Sequence, residues 1–153
     1  MALCDLLSSK RIALDVPRDK RRAIIKLLAQ QLASDLGGDP TAYAEALLAR
    51  EKLGSTAIGK GIALPHGRME CLQSPAAAAA VLREAGPFSA PDGMDVDIVV
   101  AFVSPDGPPE DLPRIAGIVK ELRNDEVASA FRSADTPEQL MAILVSIQSN
   151  TLG

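Results

Sequence analysis

Apolar residues recur at helical spacing near the start of the chain. Residues three or four apart share one face of an α-helix, and glycine commonly follows the last turn. Between Lys20 and Leu36 the apolar positions fit this spacing, and Gly37 and Gly38 end the pattern. The pattern predicts an amphipathic helix whose buried face comprises Ile24, Ile25, Leu27, Leu28 and Leu32.

A second helix is predicted directly after the first. Asp39 is a good N-cap, and Pro40 suits the first helical position, where no backbone N–H is needed. This helix should continue to Arg50 or Lys52. Its predicted buried face comprises Tyr43, Ala46, Leu47 and Leu48.

The C-terminal part of the chain has the same periodicity. One helix is predicted from Leu112 to Arg123 and a shorter one from Glu126 to Arg132. A capping-box pattern of Thr136, Pro137 and Gln139 then opens the last helix. The predicted buried positions are Leu112, Ile115, Ile118, Val119 and Leu122 in the first of these helices, and Leu140, Ile143, Leu144 and Ile147 in the last.

The middle of the chain has strand character. Residues 96–103 read VDIVVAFV, which is short and rich in β-branched residues, as buried strands are. Residues 76–83 are rich in alanine, so propensity alone leaves helix and strand open. A helical turn around Leu3, Leu6 and Leu7 and a small strand from Arg11 to Leu14 come first. Helices on both sides of a central group of strands predict an α/β sandwich, formed by one domain over residues 1–153.

Composition narrows the function classes. The 153 residues are 47% hydrophobic, which is enough for one aliphatic core. A net charge of −4, with a single basic cluster at residues 18–22, argues against a nucleic-acid-binding protein. Cys4 and Cys71 suit a reducing compartment, and neither a signal peptide nor a membrane-spanning apolar run is visible. We therefore expect a cytoplasmic protein that does not insert into a membrane.

The candidate functional residues lie between Arg50 and Arg68, around His66, which is the only histidine of the chain. Pro65 and Gly67 should place His66 at a constrained turn, with Gly67 at positive φ. A backbone carbonyl beside one ring nitrogen would fix the tautomer and leave the other nitrogen nucleophilic. Anion-binding groups around it would be the amides of Gly59, Gly61 and Gly67, the hydroxyls of Ser55 and Thr56, and the cations Arg50, Lys60 and Arg68. This combination favours phosphoryl transfer over proton abstraction.

Other interpretations of these residues are weaker. Gly54 to Lys60 fits the spacing of a phosphate-binding P-loop, but Gly61 stands where a Ser or Thr is required. A zinc site would need Cys4, Cys71 and His66 to converge, although they lack ligand spacing. No serine has the G-x-S-x-G context of a hydrolase nucleophile. A histidine that only satisfies hydrogen bonds in a turn is the remaining alternative.

The stretch GSTAIGKGIALPHGR, with the preceding LLAREKL, resembles the histidine loop of the fructose/mannitol-type IIA domains of the bacterial phosphoenolpyruvate-dependent phosphotransferase system, especially the nitrogen-regulatory branch. The similarity extends over nearly the whole chain. It implies a central mixed β-sheet flanked by helices, with residues 76–83 as a strand. It also implies that His66 is the phosphorylated histidine and that Arg50 lies beside it.

The resemblance further implies a phosphotransferase that needs no cofactor or metal. An HPr-like phosphocarrier protein would be the donor, and regulatory proteins or a IIB domain would receive the signal or the phosphoryl group. No B or C domain follows in the sequence, which favours regulation. Two alternatives stay open: a IIA component of fructose/mannitol-type sugar uptake, and a binding module in which His66 is only a switch.

The chain departs from the family pattern at one important place. Many members carry a second histidine at the start of the helix that begins here near Leu112, whereas this chain has Asp111 and Pro113. A carboxylate there would repel a phosphoryl group unless it points away. Six acidic residues and no basic one lie between Pro87 and Pro113, so a solvated loop surface, or a docking surface for a basic partner, is expected there.

Overall fold

The computed structural model describes residues 1–88 and 90–152, except the side chains of residues 151 and 152. The predicted domain, residues 1–153, includes residues 89 and 153, which lie outside that description. The helices are α1 (Leu3–Leu6), α2 (Arg21–Leu36), α3 (Pro40–Glu51), α4 (Asp111–Leu122), α5 (Asp125–Ser133) and α6 (Pro137–Leu152). The strands are β1 (Ile12–Val16), β2 (Ala57–Gly59), β3 (Ile62–Ala63), β4 (His66–Arg68), β5 (Ala76–Gly86) and β6 (Val96–Ser104).

These strands form one mixed sheet with β6 near its centre. The strand order is β1-β5-β6-β3-β2, and β4 pairs with β6 beyond the end of β3. β5 and β6 are antiparallel, whereas β3 and β4 both run parallel to β6. The predicted α/β sandwich with a central mixed sheet is therefore confirmed.

Helices cover both faces of the sheet, and each face has its own apolar core. α2 and α3 pack on one face through residues such as Leu28, Leu32 and Leu47, against alternate residues of β5 and β6. α1, α4, α5 and α6 pack on the other face, around Phe102 and Phe131. Successive residues of a strand point to opposite faces, so both central strands are apolar at nearly every position.

The alanine-rich segment forms a strand because helices cover both faces of the sheet. Ala76 to Ala80 are all buried, and they pair in register with β6 from Val103 to Val99. Their intrinsic helix propensity is overridden because small side chains fit between two layers of helices. The predicted strand is confirmed and continues to Gly86.

The local signals at the ends of the helices also have their expected effect. Asp39 caps α3 by accepting a hydrogen bond from the Thr41 amide at 2.9 Å. The Thr136 hydroxyl accepts a hydrogen bond from the backbone N–H of Gln139 at 3.1 Å. The side-chain oxygen of Gln139 accepts one from the backbone N–H of Asp135, not from that of Thr136. The capping box of α6 is thus present in a shifted form.

One predicted core position is wrong, and several others are only half-buried although they pack against the core. Leu112, expected on the buried face of α4, is 59% exposed. In α3, Tyr43 and Leu47 are buried, but Ala46 and Leu48 are only half-buried. Helical spacing identifies the face of a helix but not where packing along that face ends, and Leu112 lies in the first turn of α4.

Candidate functional site

His66 is the first residue of β4. Its strand partner is Phe102 of β6, and the Phe102 amide donates to the carbonyl of Pro65 at 2.9 Å. The predicted turn at His66 is therefore wrong: a parallel pairing with a strand 36 positions later in the chain holds this residue extended. Gly67 does not have the positive φ predicted for it.

The imidazole of His66 has one defined contact. Its Nδ1 lies 2.9 Å from the carbonyl oxygen of Leu64. A carbonyl can only accept, so Nδ1 carries the proton and Nε2 keeps its lone pair in the neutral ring. Nε2 has no hydrogen-bond partner within residues 1–88 and 90–150. This is the arrangement that the sequence predicted for a nucleophilic histidine.

Gly67 is required by the neighbouring helix. A Cβ on Gly67 would lie 3.1 Å from the carbonyl carbon, the carbonyl oxygen and the Cβ of Ala46. α3 and β4 therefore approach more closely than a larger residue allows. Arg50 is one helical turn beyond Ala46, so this contact sets the distance between the helix end that carries Arg50 and the strand that carries His66.

A small surface depression brings four of the predicted site residues together. Its volume is about 150 Å³, and its lining is formed by His66, Arg50, Ser55, Thr56, Ala57, Ile58, Leu64, Ile115 and Val119. One side is polar and comes from the end of α3 and the following loop. The apolar part of the lining includes Ile115 and Val119, one turn apart on α4.

Three of the polar groups in this depression are already used by the fold. Arg50 donates to the carbonyl of Gly54 at 3.0 Å. The Ser55 hydroxyl donates to the carbonyl of Phe88 at 2.6 Å, and the Thr56 hydroxyl donates to the carboxylate of Glu51. The two hydroxyls expected to bind an anion thus hold the loop in place. Arg50 has further N–H groups besides the one that binds Gly54.

Gly59 and Gly61 are not brought into the depression. Gly59 ends β2, and Lys60 and Gly61 form the turn to β3; all three residues have positive φ. This turn is bonded to other groups: the Lys60 amide donates to Asp92, and Arg132 binds the Lys60 carbonyl. The glycines therefore permit the tight turn, and their predicted role in binding the phosphoryl group has no geometric support.

The cations Lys60 and Arg68 also have local partners. The Lys60 ammonium lies 3.5 Å from Asp125. Arg68 donates to the carbonyl of Pro105 at 3.2 Å and pairs with Glu70 at 3.5 Å. Neither side chain lines the depression, so Arg50 is the cation there within the described residues.

Asp111, the first residue of α4, is buried and hydrogen-bonded. One of its oxygens accepts from the Gly107 amide at 2.9 Å and the other from Arg114 at 2.9 Å. Arg114 also pairs with Asp106, and the hydrogen bonds that Arg114 donates to both carboxylates raise its pKa above the ordinary value. The carboxylate of Asp111 is thus neutralised by Arg114 and directed into the loop that precedes α4.

Other acidic residues between Pro87 and Pro113 are paired as well. Asp97 binds Arg132 through both oxygens at 2.8 Å, and Asp95 lies 3.9 Å from Arg18. These pairs leave less free charge than the sequence indicates. The acidic segment is therefore mainly a set of structural ion pairs, which weakens the alternative of a docking surface for a basic partner.

The rival sites lack the geometry they need. A P-loop requires a helix after the glycine-rich segment, but Gly54 to Gly61 leads through β2 into a tight turn. Cys4 is half-buried and Cys71 is exposed, and no three His, Cys, Asp or Glu residues within the described chain could hold a metal ion.

Sequence reasoning missed Glu51, Ile115 and Val119 as residues of the site. Glu51 ends a helix and looks like a solvated charge, although it is only 5% exposed. Ile115 and Val119 were assigned to the core of α4, whereas they are half-buried and line the depression. Their i, i+4 spacing shows that they share a face, but the sequence does not show that this face lines the same depression as His66.

Comparisons with known proteins show the family to which the chain belongs. Residues 5–147 match the family described as phosphoenolpyruvate-dependent sugar phosphotransferase system, EIIA 2. A nitrogen regulatory protein of Pseudomonas aeruginosa is 35% identical over 146 residues, which are 94% of this chain and 95% of that protein. The crystal structure of nitrogen regulatory protein IIA-Ntr from Neisseria meningitidis has a TM-score of 0.83 at 27% identity, covering 92% of this chain and 97% of that one.

A third similar protein is the mannitol enzyme IIA of Escherichia coli, whose structure was determined in a complex with phosphorylated mannitol enzyme IIB. Its TM-score is 0.75 at 19% identity, covering 92% of this chain and 97% of that one, so the likeness concerns the fold. The chain belongs to the EIIA 2 family of the phosphotransferase system and is related to both nitrogen-regulatory and sugar-specific IIA proteins. Proteins of this family are phosphocarriers in a phosphotransfer cascade.

Within the described residues, no helix is both long enough and apolar enough to cross a bilayer.

Proposed function

We propose that Nε2 of His66 accepts a phosphoryl group from a phosphohistidine carrier protein that resembles HPr. In this step a bond forms between Nε2 and phosphorus, and the bond between phosphorus and the donor's histidine nitrogen breaks. The proton of the acceptor ring stays on Nδ1, where the Leu64 carbonyl holds it. The observation that carries the proposal is this pairing of a fixed Nδ1 with an unpartnered Nε2 in a depression shared with Arg50.

Arg50 has the second role in the proposed reaction. The phosphoryl group in transit carries negative charge on its oxygens, and a guanidinium beside it stabilises that charge. One N–H of Arg50 stays on the Gly54 carbonyl, which fixes the direction of the side chain. Because the hydroxyls of Ser55 and Thr56 are occupied, they support the loop and do not serve as first partners of the phosphoryl oxygens.

The surface around the depression suits transient docking of a protein. Leu53, between Arg50 and Ser55 in the chain, is 84% exposed, and Leu112, one turn before Ile115 on α4, is 59% exposed. Exposed leucines around a polar centre are typical of interaction sites. We propose that the HPr-like donor, and then a regulatory protein or a IIB domain, contact this rim.

We favour a regulatory role over sugar uptake because the nitrogen regulatory protein of Pseudomonas aeruginosa is 35% identical to the chain, whereas a fructose-like EIIA component of Escherichia coli that covers it almost as fully is 29% identical. The alternative is a binding module in which phosphorylation of His66 only breaks contacts at the leucine rim by adding charge. The two differ in whether the phosphoryl group moves on. Offering the phosphorylated chain to a purified IIB domain and following loss of the label distinguishes them.

The direct test uses the purified carrier proteins and phosphoenolpyruvate. We expect the chain to gain the mass of one phosphoryl group, bound in an acid-labile form as a phosphohistidine is, and His66→Ala to gain none. Circular dichroism should show an intact fold in the variant, because His66 is half-buried at the edge of the core. Phosphorylation of His66→Ala at the wild-type rate would refute the proposal.

A further inference from the structure

Glu51 is a carboxylate in an unfavourable place. It is the last residue of α3, where the helix dipole disfavours negative charge, and it is only 5% exposed. A buried carboxylate is tolerated when hydrogen bonds and an opposite charge satisfy it. Glu51 has both: the Thr56 hydroxyl donates to Oε1, and Arg21 lies 3.4 Å from Oε2.

The contacts continue from Thr56 to the imidazole. The carbonyl of Thr56 accepts a hydrogen bond from the Leu64 amide at 3.0 Å. The carbonyl of Leu64 in turn lies 2.9 Å from Nδ1 of His66. Three hydrogen bonds, joined by the covalent structure of Thr56 and Leu64, therefore connect Glu51 to the ring.

The Thr56 hydroxyl is well placed to fix this series. Residues 52–54 between the two buried partners are exposed, and Gly54 has a φ of 147°, so the loop between them has little packing of its own. The hydrogen bond between the buried side chains of Thr56 and Glu51 joins the two ends of that loop. It thereby fixes the direction of the Thr56 carbonyl, on which the position of Leu64 depends.

We propose that Glu51 is a positioning residue for phosphoryl acceptance: acting through Thr56 and Leu64, it keeps Nδ1 of His66 protonated and Nε2 free. The proposal rests on the proposed function in taking His66 as the acceptor. Glu51 does not touch the ring. Its effect follows because the acceptor held at Nδ1 decides which tautomer of a neutral imidazole is populated.

The test exploits the single histidine of the chain, whose ring nitrogens give unambiguous ¹⁵N resonances. Thr56→Val keeps the shape of the side chain and removes the hydroxyl, whereas Thr56→Ser keeps the hydroxyl. In Thr56→Val we expect a larger share of neutral rings protonated at Nε2. We also expect slower phosphoryl acceptance, by roughly five- to tenfold, the effect of losing one ordinary hydrogen bond. Thr56→Ser should match the wild type in both measurements.

Glu51→Gln tests the same series from its other end. The glutamine oxygen can still accept from Thr56, but the charge opposite Arg21 is lost, so the tautomer and the rate should change in the same direction and by less. Thermal unfolding is followed for every variant. If Thr56→Val does not fold, Glu51→Gln decides the matter alone.

Unchanged tautomer populations in a folded Thr56→Val or Glu51→Gln variant would overturn the proposal, even if acceptance slowed, because the residue would then support the fold only. The two proposals fail separately. A tautomer shift in a protein that accepts no phosphoryl group would refute the role of His66 and leave the positioning by Glu51 standing. Normal phosphoryl acceptance by the wild type, together with unchanged tautomer populations in the variants, would refute the positioning by Glu51 and leave the role of His66 standing.

Discussion

The contact between Gly67 and Ala46 gives a sharp test of how the site is built. Gly67→Ala would place a Cβ 3.1 Å from backbone atoms of Ala46, where carbon atoms normally lie about 3.5–4.0 Å apart. The contacted atoms belong to a helix backbone and cannot rotate away. α3 must therefore move from β4 by roughly half an ångström, and Arg50 moves with it.

The magnitude follows from two opposing effects. Overpacking of this kind lowers stability by about 1–3 kcal/mol. Replacing glycine by alanine raises stability by about 0.4–1 kcal/mol, because it reduces the conformational entropy of the unfolded chain. The expected net loss is about 1–2 kcal/mol, which for a chain of this size lowers Tm by roughly 2–8 °C. Since a misplacement of about 1 Å can slow a reaction about a hundredfold, the half-ångström shift should slow phosphoryl acceptance about tenfold.

Gly117→Ala is the matched control. Gly117 lies in α4, and a Cβ there would meet no atom within 4 Å. The same chemical change should therefore raise stability by about 0.5–1 kcal/mol through helix propensity. Thermal unfolding of both variants and the rate of phosphorylation of Gly67→Ala are the measurements. A Tm of Gly67→Ala equal to or above that of the wild type would show that α3 and β4 are not in close contact.

Three further results are expected. Arg50→Lys keeps the charge but loses the planar fork, so phosphoryl acceptance should slow while Tm changes little; lost stability with an unchanged rate would make Arg50 a helix-end residue only. Arg83, chiefly by its hydrogen bond, holds the pKa of Asp15 below the ordinary value. The stabilising effect of that pair is therefore present above the unfolded pKa of about 4 and is lost as pH falls through the lower folded pKa. Asp15→Asn should flatten the acid side of the stability curve, and parallel curves would contradict this. Asp111→Asn should lower stability by about 1–3 kcal/mol. It should leave the lifetime of the phosphohistidine unchanged, because Arg114 already neutralises the carboxylate. A longer lifetime seen only at low salt would show that the charge of Asp111 acts on the phosphoryl group.

The parts of the fold that depend on local chemistry could be predicted from the sequence. Helix α2 ends at its glycine pair, and α3 begins at Asp39 and Pro40, because caps and breakers act within a few residues. The strand character of β6 follows from its composition. The contact expected beside His66 is also local, since its acceptor is only two residues away at Leu64.

The parts that could not be predicted depend on residues distant in the chain. β4 is three residues long, and its strand character comes from pairing with β6. The hydroxyl of Ser55 is occupied by a carbonyl 33 positions later. Gly67 is fixed by a helix packed against it and not by its own backbone conformation. In each case the sequence identifies a residue as special and gives the wrong reason, because the reason is a tertiary contact.

The way His66 is held bears on how partners would distinguish the two proposed phosphorylation states. The fold contacts the ring at Nδ1 and holds the backbone of β4 through β6, so the proposed acceptance at Nε2 breaks neither contact. The two states then differ mainly by about two negative charges added beside an apolar wall. A partner that contacts Leu53 and Leu112 would bury that charge with few cations to oppose it. We therefore expect such partners to distinguish the two states by desolvation and charge at the rim, and a fold change on phosphorylation would contradict this.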